Sequence, residues 1–120
     1  MSEKKLTIDE LKSMRDVPVI IANEEGFITY VNEKFTSVFG WVGKESIGSP
    51  LTFIIPPSLR DAHHMGFSRF ISTGKPTLLN QTLKLKAINK KGEEFDAEHF
   101  IIAEKKDGHW VIGATVKPML

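Results

Sequence analysis

The 120-residue chain contains no cysteine. That excludes disulfides, thiolate nucleophiles and cysteine-ligated metals, and it fits a reducing compartment. An excess of charge of either sign is also missing. Sixteen basic and 15 acidic residues leave a formal net charge of +1, which gives no electrostatic footprint for nucleic acid or an anionic membrane. No long apolar run is present either: the charged start Met1-Ser2-Glu3-Lys4-Lys5-Leu6 leads into nothing of secretory or membrane-spanning length. A cytoplasmic setting is expected, with neither a membrane nor a nucleic acid as partner. The sequence has no phosphate-binding glycine loop and no nucleophile elbow. Its carboxylates read as solvated surface, so the chain is not expected to be an enzyme. What remains, 41% hydrophobic and 26% charged residues, is ordinary for one globular domain.

Local signals divide that domain. Thr7-Ile8-Asp9-Glu10 forms a capping-box pattern, and Ile8, Leu11 and Met14 make a narrow apolar stripe behind it. Residues 1–16 are therefore expected to be an amphipathic cap helix, with the main domain over 17–120. The β-branched run at 17–22, the turn Asn23-Glu24-Glu25-Gly26 and the segment 27–31 predict a hairpin. Asn32 can cap a helix that carries Phe35, Val38 and Phe39 and stops at Gly40. Residues 41–55 read as irregular, broken by Gly43, Gly48 and Pro50. Three strands follow the next helix, over 78–88, 94–104 and 109–116, joined by turns at 89–92 and 105–108. Strands, then helices, then strands predict an α+β fold with an antiparallel sheet and helices gathered on one face.

The helix over 56–74 is the most informative stretch. Pro56 and Pro57 fit a first turn that needs no backbone donors, and Gly74 suits a left-handed C-terminal cap. Leu59, His63, Gly66, Phe67 and Phe70 recur at three- and four-residue steps and share one face. That places an imidazole in an apolar stripe, with space left by Gly66 one turn on. Such a helix serves a ligand pocket or an ordinary packed histidine. His64 sits about 100° round the helix from His63 and is expected to face outward.

The element order and several motifs resemble those of a PAS domain over residues 17–116. The motifs are 20–32, Phe39-Gly40-Trp41 with Ile47-Gly48, and Lys90-Lys91-Gly92-Glu93-Glu94-Phe95. The resemblance implies a PAS fold, a five-stranded antiparallel sheet in 2-1-5-4-3 order whose helices wrap a small pocket. Within the family, Arg60, His63, Arg69 and Phe70 match the pattern of haem-binding sensors of the FixL oxygen-sensing type. That likeness implies b-type haem with His63 on the iron. Those sensors hold oxygen with an Arg, and ungapped counting from His63 places Leu83 there. Gas or redox sensing other than oxygen sensing by that device is the expectation.

Alternation on the strands completes the candidate pocket. If Leu83 faces inward, so do Gln81 and Leu85, and Gln81 alone could donate a hydrogen bond. On the next strand Phe95, Ala97, His99, Ile101 and Ala103 share a face. His99 there is a second polar contact, an opposing iron ligand, or the partner of a nearby carboxylate. The candidate ligand-binding residues are therefore His63, Gly66, Phe67, Phe70, Gln81, Leu83, Leu85, His99 and Ile101. Phe100 and Ile102 lie on the opposite, outer face and need cover, from the N-terminal helix or from a second subunit, so a homodimer through helix and outer sheet face is expected. The expected function is sensing or signalling, with the downstream partner open. The alternative is a cofactor-free interaction or dimerisation module whose pocket its own phenylalanines fill.

Overall fold

Thr7 starts the first helix as its spacing requires. In the computed structural model, which describes residues 6–73 and 82–119, the Thr7 hydroxyl accepts from the Glu10 amide and the Glu10 carboxylate accepts from the Thr7 amide, both at 3.1 Å. This capping box opens α1 (Ile8–Ser13). A further first-turn donor, the Ile8 amide, is satisfied across the molecule by Glu104 Oε2 at 2.8 Å.

The expected hairpin forms from β1 (Val19–Asn23) and β2 (Ile28–Val31). The Asn23 side chain holds its turn by accepting from the amides of Glu25 and Phe27 at 3.0 Å. Asn32 then caps α2 (Glu33–Phe39), accepting from the Phe35 amide at 2.9 Å. The same oxygen accepts from Val19 N–H at 3.0 Å, while Nδ2 donates to the carbonyls of Met14 and Val17 at 3.1 and 2.9 Å. One buried side chain thus joins the end of α1, the start of β1 and the start of α2. Gly40, at φ 82°, ends α2 in the left-handed conformation its missing Cβ permits.

Residues 41–55, expected to be irregular, contain a single helical turn, α3 (Gly43–Ser46), and a 3-10 turn at Leu51–Ile54. One turn is too short to leave a periodic signal. It is held instead by Glu45, which accepts from the Val42 amide at 3.1 Å, and by the Ser46 hydroxyl, which donates to the Val42 carbonyl at 3.0 Å. A second 3-10 turn, Pro57–Leu59, leads into α4 (Arg60–Thr73). Arg60 Nε pins the start of α4 by donating to the Thr52 and Ile55 carbonyls at 3.1 and 2.9 Å.

The last three strands are β3 (Thr82–Ile88), β4 (Glu94–Lys106) and β5 (His109–Pro118). All neighbours are antiparallel, as the sequence predicts, in the order β2-β1-β5-β4-β3 that the resemblance implies. The sequence reading ends β5 at Val116 because Pro118 lacks a donor. In the structure the strand runs on, with Lys117 opposite Glu98 and Pro118 opposite Ala97. A proline is tolerated there because it lies at a strand end.

Two apolar layers flank the sheet. Ile20, Ile28, Phe35, Phe39, Ile54, Ala87, Ala97 and Val116 form the core between its inner face and the helices. On the outer face α1 lays Ile8 and Leu11 on Val19, Ile21 and Ile102, with Phe100 packed alongside. The close approach depends on Gly113: a Cβ there would stand 2.5 Å from Leu11 Cδ1 and 2.8 Å from Ile8 Cδ1. Ile102 is 2% exposed. The chain's own helix therefore covers Ile102 fully and Phe100 in part.

Candidate functional site

The strand register brings the candidate residues together. Leu83 pairs with His99, and His99 with Val116, so all three share the inner face. By alternation Leu85, Ala97, Ile101 and Ala114 join them. Above this surface α4 turns His63, Phe67 and Phe70 inward, each half-buried, while no residue of α4 is fully buried. The helix is held at its flanks. Its middle rests on the β1–β2 turn, where a Cβ on Gly26 would lie 3.7 Å from the Phe67 ring. Near its end Phe70 packs on Trp110 with ring centroids 4.8 Å apart.

The two inward imidazoles dominate the chemistry. His99 is 5% exposed, and its Nε2 is fully buried without a hydrogen-bond partner. Burial pushes its pKa down. A hydrogen bond with the Leu85 backbone opposes that, and nearby His63 adds to the lowering. His63 is also pushed down, by burial first and by the adjacent His64 second. Both rings are thus biased toward the neutral form, and each stands within electrostatic reach of the other. A buried polar atom with no partner costs about 1–3 kcal/mol, which a bound group could recover.

The other expected residues are more scattered. His64 is exposed, as its angle round the helix requires. Gly66 is exposed, and a side chain built on it would meet nothing within 4 Å. Leu85 faces inward yet is 43% exposed, so the inner face opens to solvent beside β3. Gln81 and Gly74 lie outside the described residues. Trp41 packs against the core with its ring 5.0 Å from Phe53. Sequence reasoning missed Trp110 and Gly26, which lie against Phe70 and near Phe67 of α4, because 40 or more residues separate each from its partner. Among the described residues no three His, Asp or Glu side chains gather to hold a metal ion. A separate cleft of about 220 Å³ between the end of α1 and β2 is lined by Lys12, Arg15, Glu33 and Lys34 among others, and contains neither imidazole.

A five-stranded 2-1-5-4-3 antiparallel sheet with α2 to α4 over its inner face, α1 on its outer face and a polar point inside defines a small α+β domain. The chain belongs to the PAS domain family, whose profile matches residues 16–117. It is 31% identical over 100 residues to an uncharacterised protein of Azorhizobium caulinodans, matching 82% of this chain and 14% of that protein. The chain thus spans about one-seventh of the relative's length. Among solved structures it is similar to the PAS domain of a Desulfitobacterium hafniense protein, at a TM-score of 0.70 and 18% identity over 92% of this chain and 99% of that one. It is also similar to a light-oxygen-voltage domain studied with a flavin analogue, at a TM-score of 0.68 and 16% identity over 88% and 78% of the two chains. At such identities the likeness is one of fold. No helix among the described residues is long and apolar enough to cross a membrane.

Proposed function

We propose that this PAS domain is a sensory module that binds a small organic ligand between α4 and the inner sheet face and acts by signalling, without catalysis. The observation that carries this reading is His99 Nε2, buried and without a partner beneath a helix that has no buried residue. Natural cores rarely leave such an atom unsatisfied unless something else meets it. Its neighbours Ala97 and Ala114 are small, and Phe67, Phe70 and Ile101 supply apolar wall.

A second reading, haem b, is favoured by His63. Iron takes a neutral imidazole, and burial biases His63 toward that form. His63 would hold the iron, with Phe67 and Phe70 excluding water around it. The haem itself would supply binding of a diatomic gas or a one-electron couple. Adding hemin to the purified protein and recording the absorption spectrum separates the two readings. A Soret band lost in His63→Ala makes haem the occupant. No band in the wild type rules haem out and leaves the organic ligand.

A further inference from the structure

Among the described residues the inner sheet face carries no fixed charge to neutralise a ligand. Along β4 the inward positions read Phe95, Ala97, His99, Ile101 and Ala103, and His99 is their one polar side chain. The charged residues of β3, Lys84 and Lys86, lie on the other face, paired opposite Glu98 and Asp96. An ionised ligand would lose its water and gain no counter-charge there, a large penalty. A wholly apolar ligand would leave Nε2 as unsatisfied as before. Only an uncharged molecule with a hydrogen-bonding group at one end answers both conditions.

The walls narrow the class further. Phe67 lies beside His63 and Phe70 against Trp110, so aromatic rings line the α4 side, and stacked or edge-on rings attract one another beyond their buried area. Residues flanking His99 on the sheet are small or aliphatic: Ala97, Ala114, Leu83 and Val116. Resting on the reading of this space as an organic-ligand pocket, we infer that the ligand is an uncharged single-ring aromatic alcohol of the phenol class. Its ring lies under α4 and its hydroxyl pairs with Nε2 of His99. A hydroxyl can donate or accept, so it serves either tautomer of the imidazole.

Phenol and toluene are the test pair, because they match in size and differ in the hydroxyl. Each is titrated into the full chain while dissociation constants and the ¹⁵N shift of His99 Nε2 are followed by NMR. The expected result is that phenol binds at least tenfold more tightly than toluene and moves the Nε2 resonance, while toluene does not. In His99→Leu the preference disappears, and in His99→Gln it returns in part. The wild-type Nε2 shift decides the matter even if a variant folds poorly. Equal binding of phenol and toluene with an unmoved Nε2 overturns the inference and leaves an apolar pocket without an anchor. Binding of neither overturns it together with the pocket reading on which it rests.

Discussion

At the scale of single residues, the histidines set the response to pH. His63 and His99 have folded-state pKa values below the ordinary value near 6.5. The unfolded chain therefore binds protons that the folded chain refuses. Their effect is absent above the unfolded value, and stability falls as pH drops below it toward the folded values. The slope is at most about 1.4 kcal/mol per pH unit for each imidazole. His109 behaves oppositely: its Nδ1 lies 2.8 Å from Glu24 Oε2, which raises its pKa and lowers that of Glu24. That pair contributes fully between the ordinary carboxylate and imidazole values, and its contribution is lost as pH passes the lowered or the raised one, but it is exposed and counts for little. The urea midpoint should therefore fall between pH 7.5 and pH 5.5, and less steeply in His99→Leu; an unchanged midpoint would mean the buried rings do not titrate differently on unfolding. At pH 7.5 the same variant should be more stable than the wild type by about 1 kcal/mol, because an unsatisfied buried nitrogen is gone. A loss of stability would show that the nitrogen is already satisfied in the free protein.

At the scale of elements, Asn32 is the joint. It holds the cap of α2, the first amide of β1 and two carbonyls from the segment after α1. Asn32→Ala should cost about 2–4 kcal/mol in urea unfolding, the sum of a lost cap and buried groups left unpaired. Asn32→Asp keeps the acceptor and loses both donated bonds, so it should fall between alanine and wild type. Equality of Asp with wild type would show that the bonds to Met14 and Val17 carry no weight. The cap itself is legible, since Asn before an apolar helix is a known start signal. Its reach to β1 and to the end of α1 is not, because those contacts span 13 to 18 residues of chain that no local pattern relates.

For the molecule as a whole, the seating of α1 on the outer face depends on the bare backbone of Gly113. Gly113→Val should cost about 1–3 kcal/mol by overpacking against Ile8 and Leu11. Combined with Leu11→Ala, it should cost less than the sum of the two single changes, because the shortened side chain returns the space. Strict additivity in that cycle would place the clash elsewhere.

The sequence alone carries the element order and the inward direction of His63 and His99. Both come through short-range rules: caps, two-residue alternation and helical periodicity act within a few residues and leave a readable trace. The 2-1-5-4-3 strand order, by contrast, comes only through the resemblance to PAS domains. The sequence also marked Phe100 and Ile102 as a face in need of cover. Only the tertiary structure decided that α1 provides that cover, that Phe67 and Phe70 rest on Gly26 and Trp110, and that His99 Nε2 ends up buried and alone. The physical reason is the same in all three. Whether a polar atom finds a partner, or an apolar one a neighbour, depends on chain segments that meet only after the sheet has closed.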